Sequence, residues 1–100
     1  MSTAWLGDEG VKFDNGKLRL NLIPPEAFES IGEVLTIGAE KYGERNWEKG
    51  ISEDRLVGAL LRHLVAHRLG NLQDESGLNH LDHVLCNAMF LSVLFRRKML

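Results

Sequence analysis

The sequence predicts an all-α domain: a compact bundle of three main helices behind an irregular N-terminal segment. Two observations carry this expectation. Between residues 25 and 98, apolar residues recur at helical spacing in three stretches, each bounded by residues that start or stop helices. A chain of 100 residues with 44% hydrophobic and 26% charged residues is also sized for one globular domain, without room for a separate accessory module.

Residues 1–22 contain Gly7, Gly10 and Gly16, an Asp14-Asn15-Gly16 turn signal and short apolar pieces. They read as irregular chain with at most a small hairpin, whose apolar pieces must lie over something. Pro24-Pro25 ends this segment and starts helix one, because the fixed φ of proline suits a first helical turn. That helix runs from about Pro25 to Tyr42, with Gly43 as its terminator. Phe28, Ile31, Leu35 and Tyr42 fall on one side of it, and Glu26, Glu29, Glu33 and Glu40 gather on the other. Ser52 caps a second helix whose first turn holds Glu53 and Asp54, both favourable at the positive helix end, and Gly70 closes it. Its core face carries Leu56, Leu60 and Leu64, with Val57 and Leu61. Asn71 to Gly77 is a polar turn into a third helix, which starts near Asn79 and ends in Arg96, Arg97 and Lys98. Leu81, Val84, Leu85, Ala88, Met89, Leu91, Val93, Leu94 and Phe95 cover more of that helix than one packing face needs. Part of it is therefore expected to be buried by a second copy, giving a homo-oligomer, dimer or higher.

Composition excludes several classes of function. A net charge of -2 gives no basic footprint for a nucleic-acid polymer. No apolar run approaches the roughly 20 residues of a membrane span, so no membrane partner is expected. The single Cys86 cannot form an intrachain disulfide, and the N-terminus lacks a signal-peptide pattern; both point to the cytoplasm. Small phosphorylated ligands remain open, because they need only a local cluster of cations.

All four histidines lie in the two later helices, with His63 and His67 four apart and His80 and His83 three apart. His80, His83 and Asn87 form a polar stripe through an otherwise apolar helix. Buried polar groups without partners cost about 1–3 kcal/mol each, so something polar must meet them. Hydrogen bonds that set helix register would suffice. So would a metal, phosphate or base site, with the imidazoles of His63, His80 and His83 converging near Asp74. His67, an i+4 histidine of a kind common without function, is not assigned to the site. The acidic stripe of helix one suits Mg²⁺, which takes several carboxylate oxygens and also grips phosphates, and it equally suits a solvated face. The segment Lys41-Tyr42-Gly43-Glu44-Arg45-Asn46-Trp47 pairs cations with stacking surfaces for a nucleotide. Tyr42 and Trp47 would serve as well as core plugs. Lys12, Asp14, Lys17 and Arg19 form a second charged segment, on irregular chain where binding groups often lie.

Three runs together resemble the dATP/dGTP diphosphohydrolase family found widely in phage genomes. They are Lys12-Phe13-Asp14-x-Gly16-Lys17-x-Arg19, Leu22-Ile23-Pro24-Pro25-Glu26-Ala27 and Gly38-Ala39-x-Lys41-Tyr42-Gly43-x-x-Asn46-Trp47-x-x-Gly50. The similarity continues through Ala59-Leu60-Leu61-Arg62-His63-Leu64, the loop from Asp74 to Gly77, and His80-Leu81-x-His83. The resemblance implies a single MazG-like, nucleotide-hydrolase-like domain over residues 1–100, working in the host cytoplasm. Its reaction would split dGTP or dATP into monophosphate and pyrophosphate with Mg²⁺ or Mn²⁺. On that basis the catalytic group comprises Glu26, Glu40, His63, His80 and His83, and the metal group Glu26, Glu29, Asp74, His80 and His83. Lys12, Asp14, Lys17, Arg19, Lys41, Asn46, Trp47 and Arg62 would bind the substrate. One departure stands out. MazG-like enzymes carry Glu-x-x-Glu and then Glu-x-x-Asp; this chain has Glu26-x-x-Glu29, but the later slot holds His80-x-x-His83. The alternative function is a non-catalytic phage protein that sequesters a host signalling nucleotide, and a ligand-free structural oligomer is a third reading.

Overall fold

In the computed structural model, which describes residues 9–100, three α-helices carry the fold: α1 (Pro25–Tyr42), α2 (Glu53–Arg68) and α3 (His80–Arg96). Short 3-10 turns at Leu20–Leu22 and Asn46–Lys49 precede α1 and α2. Among the described residues there is no strand beyond an isolated antiparallel bridge between Gln73 and Asn79. The all-α, three-helix expectation holds, and so does the irregular character of residues 9–22. Gly7 and the rest of residues 1–8 lie outside the described residues.

Local signals set the helix ends. Pro24 is extended (φ -66°, ψ 145°) and Pro25 opens α1; the Gly43 N–H closes it on the Ala39 carbonyl at 2.9 Å, with φ at 95°. The Ser52 hydroxyl accepts from the Arg55 N–H at 3.4 Å at the start of α2. Its end is wrapped by bonds from the Gly70 N–H to the His67 carbonyl and from the Asn71 N–H to the Ala66 carbonyl, each 3.0 Å. Gly70 has φ 92°, the left-handed region that favours glycine at this position. Asn79 precedes α3 without a side-chain cap, and Arg96 lies in its last turn beside the negative helix end.

The last helix is the hub, packing most extensively on α2 and also on α1. Among the described residues, Leu56, Cys86 and Leu94 are the buried apolar ones, with His80 and Asn87 the buried polar ones. Two expected core faces are less covered than their spacing predicts. Phe28 and Tyr42 of α1 are 62% and 60% exposed, and Leu61 of α2 is 50% exposed. Helical spacing puts residues on one face, but only a neighbouring element buries that face, and among the described residues the main helical neighbour of α1 is α3.

The irregular segment differs from expectation in the same way. Residues 9–24 are all exposed, Val11, Phe13, Leu18, Leu20 and Leu22 among them. Among the described residues, their apolar side chains are left largely uncovered. The radius of gyration is 18.0 Å, against about 13 Å for a closed domain of this length. No helix among the described residues is long and apolar enough to cross a membrane.

The connection between α1 and α2 is pinned to the end of α3. Trp47 stacks on Phe90 with ring centroids 4.7 Å apart, and the Arg97 guanidinium lies 5.8 Å from the Trp47 ring. Glu48 accepts from Arg97 at 2.7 Å and from Arg45 at 3.1 Å. The Arg97 hydrogen bond, aided by Arg45, holds the Glu48 carboxyl below its ordinary value.

Candidate functional site

The loop from Leu69 to Asn79 folds back on itself and sets the start of α3 beside the middle of α2. The His80 N–H reaches the Leu72 carbonyl at 3.0 Å, and the Asp74 N–H reaches the Leu78 carbonyl at 2.8 Å. A tight turn closes between them, with the Gly77 N–H on the Asp74 carbonyl at 2.9 Å and Gly77 at φ 87°. The turn holds Asp74 next to the first turn of α3. There His80 and His83, one helical turn apart, meet His63 of α2.

His63 and His80 are joined Nδ1 to Nδ1 at 2.8 Å, so one ring donates and the other accepts. The His63 ring stacks on His83 at 4.4 Å with an interplanar angle of 8° and meets His80 at 5.0 Å and 45°. His83 Nε2 lies 3.3 Å from Ser76 Oγ and 3.4 Å from Asp74 Oδ2, and Asp74 Oδ2 accepts from the Ser76 N–H at 3.2 Å. Serine, histidine and aspartate do not form a nucleophilic triad here, because hydroxyl and carboxylate approach the same ring nitrogen. The Nε2 of His80 is buried with no partner.

Electrostatics follow from this crowding. Desolvation lowers the pKa of His63, and the neighbouring His83 and His80 lower it further against the opposing pull of Asp74. For Asp74, burial pushes the carboxyl upward, yet hydrogen bonds from Ser76 and the nearby His83 leave it below its ordinary value. Ligand atoms of His63, Asp74 and His80 all lie within 4.8 Å of one another, a donor set of two imidazoles and one carboxylate. Cys86, buried and with its thiol pushed up to about 12, is an inert core residue.

The family model described as dATP/dGTP diphosphohydrolase, N-terminal, matches residues 7–100. The chain belongs to this family. A dATP/dGTP diphosphohydrolase of Salmonella phage PMBT28 is 40% identical over 90 residues, which cover 89% of this chain and 31% of that protein. The chain therefore spans about a third of the length of this curated relative. No solved structure matches it.

In this dATP/dGTP diphosphohydrolase N-terminal domain, the structure gathers His63, Asp74, His80 and His83 from the residues that the sequence singles out. The glutamates of α1 stand apart. Glu26, Glu29, Glu33 and Glu40 are all exposed and outside the converging donor set. Glu29 and Glu33 line a shallow depression with Gly32, Thr36, Ile37 and Leu78, so they face the loop that carries Asp74. Lys41 is exposed, and its pKa is raised by its contact with Tyr42 and, more weakly, by the charges of Glu75 and Asp74. Its ammonium lies 5.2 Å from the centroid of the Tyr42 ring. Arg62 is exposed, with a guanidinium nitrogen 3.2 Å from where a Cβ on Gly58 would stand. Asn46 is half-buried at the start of its 3-10 turn, and the Trp47 ring is engaged with Phe90 and Arg97. Lys12, Asp14, Lys17 and Arg19 are exposed; the Lys17 N–H bonds the Asp14 carbonyl at 3.0 Å in the turn around Gly16. Asn87 serves its own helix, donating to the His83 carbonyl at 2.8 Å. Ser76 is the residue whose part sequence reasoning missed. The available signal was an Asp-x-Ser-Gly turn beside a histidine pair.

Proposed function

We propose that the chain binds a purine deoxynucleoside triphosphate, dGTP or dATP, and serves its hydrolysis at the α–β phosphoanhydride. The observation that carries this reading is the convergence of three imidazoles and Asp74, in a domain whose relative bears the diphosphohydrolase name. In the reaction, water attacks the α-phosphorus, the bond to the bridging oxygen breaks, and monophosphate, pyrophosphate and a proton result. An imidazole is the proton acceptor this step needs, and His83, with its Nε2 beside Asp74 and Ser76, is the ring of the cluster outside the donor set of His63, Asp74 and His80. His83, held between Asp74 and Ser76, stacks against the His63 ring and keeps it in place. Lys41 and Arg62 are the cations for the phosphates, and Asn46 contacts the base or sugar. Mg²⁺ or Mn²⁺ supplies neutralisation of the phosphate charge when bound, and Glu26 and Glu29, one turn apart on α1, are oxygen donors of the kind such an ion takes.

Binding without turnover is the second reading. The His80-x-x-His83 slot, where MazG-like enzymes have carboxylates, favours it. Incubating the protein with a nucleotide panel and Mg²⁺, followed by chromatography, separates the two. Conversion of dGTP or dATP to monophosphate supports hydrolysis. Recovery of an unaltered nucleotide from denatured protein assigns sequestration, and the absence of any bound or converted nucleotide removes both readings.

A further inference from the structure

We propose that His63, Asp74 and His80 form a site for a nitrogen-preferring divalent ion of the first transition row, of the Co²⁺ and Zn²⁺ type, rather than for Mg²⁺. This deepens the proposed function, because it rests on the cluster being the chemical centre and names the ion that the cluster itself holds.

Three observations carry the proposal. First, the ligand atoms of the three residues lie within 4.8 Å of one another. Ligands at about 2.0–2.2 Å from one ion stand roughly 3–4 Å apart, so small side-chain rotations close the set. Second, His80 is only 7% exposed, and its Nε2 has no hydrogen-bond partner. With the other ring nitrogen engaged by His63, His80 keeps an unmet donor or lone pair in either tautomer. A nitrogen left without a partner is unusual in a buried position, and because the His63–His80 hydrogen bond leaves a free lone pair on only one of the two rings, an ion held by both takes the place of that bond. Third, the donors are supported from behind. The Ser76 N–H and His83 Nε2 approach the Asp74 carboxylate, and the His83 ring lies flat on His63. Carboxylates and imidazoles that bind metals are held by such outer contacts, which fix their orientation.

The chemistry of the donors sets the class of ion. Mg²⁺ demands near-octahedral oxygen ligands and keeps much of its water, whereas imidazole suits zinc, cobalt, nickel, copper and iron. Two nitrogens and one oxygen leave positions free on the ion, the arrangement of catalytic rather than closed structural sites.

The test uses the full chain stripped of metal by a chelator, with no nucleotide present. Co²⁺ titration followed by visible absorption should show one ion per chain in a nitrogen-containing field. Zn²⁺ should displace it, while a large excess of Mg²⁺ should not. Asp74→Asn and His80→Ala should each weaken Co²⁺ binding by at least about tenfold, and His67→Ala, outside the cluster on the same helix, should leave it unchanged. Should His80→Ala fail to fold, Asp74→Asn decides alone, since the amide oxygen still accepts from Ser76. Absence of Co²⁺ uptake, displacement by Mg²⁺, or equal affinity in Asp74→Asn overturns the proposal. Because binding is read without substrate, a protein that takes Co²⁺ yet leaves every nucleotide intact counts against the hydrolysis alone.

Discussion

His63 and His80, 17 residues apart in sequence, share one hydrogen bond between their Nδ1 atoms at 2.8 Å. The contact requires unlike tautomers: one ring protonated on Nδ1, the other on Nε2. It also makes each ring the other's partner, His80 being the buried one and His63 half-buried. His63→Ala would leave both nitrogens of His80 unmet, since its Nε2 already has none. The expected loss is about 1–3 kcal/mol of stability, read by chemical denaturation of the metal-free protein. A double-mutant cycle with His80→Ala should give a coupling energy of at least about 0.5 kcal/mol. Additive single mutants would show that the two rings do not depend on each other.

Acid should destabilise the fold, first through this cluster. The His63 pKa is lowered in the folded state, mainly by desolvation, from an ordinary value of 6.5. The unfolded chain therefore binds the proton more readily, and stability present above pH 6.5 is lost as pH falls through the folded value. Asp74, also lowered, adds a second loss below its ordinary 3.8. Melting temperatures between pH 8 and 5 should decline in the wild type, and the upper part of that decline should be shallower in His63→Gln. An identical profile in the variant would place the titrating group elsewhere.

Neighbouring residues of the α1–α2 connection should separate packing from recognition. Trp47 is held between elements by Phe90 and Arg97, so Trp47→Ala is expected to cost about 2 kcal/mol, below the 3–5 kcal/mol typical of fully buried aromatics. Asn46 makes no side-chain hydrogen bond among the described residues, and Asn46→Ala should leave the melting temperature nearly unchanged while weakening nucleotide binding. Calorimetric titration with dGTP beside thermal melting reads both quantities. Normal affinity in Asn46→Ala would assign the segment to packing.

The helix ends were legible in the sequence because their signals are local: Pro24-Pro25, Gly43, Ser52 and Gly70 act through the backbone groups of their own turn. The histidine pair of α3 was legible for a related reason, since a polar residue on an apolar helix needs a partner wherever the helix packs. What spacing could not reveal was which face finds a neighbour. Glu26, Glu29, Glu33 and Glu40 share helical spacing much as Phe28 and Ile31 do, yet exposure of Phe28 and the distance of the glutamates from the donor set depend on where α3 crosses. Trp47 illustrates the same limit: an aromatic beside cations reads alike whether it stacks on a base or on Phe90.

Self-association is the last expectation, and the surface of the single chain argues for it. The chain exposes 8072 Å², whereas a closed monomer of its mass exposes about 5,700 Å². Part of the excess is the exposed segment before α1, but the helices contribute too. Leu61, Val65 and Leu69 of the α2 region and Leu81, Leu85 and Phe95 of α3 are all exposed. Beside Phe95, a shallow apolar depression is lined by Val57, Ala88, Leu91 and Leu100. Apolar area left in water forgoes about 25 cal/mol per Å², so covering these faces between two copies is a gain set against the cost of association. Light scattering at micromolar concentration should report a multiple of 11.3 kDa. Phe95→Asp, which places a charge on the depression without touching the histidine cluster, should shift the mass towards the monomer while leaving Co²⁺ binding intact. A wild-type mass near 11.3 kDa would show instead that these faces stay open in solution.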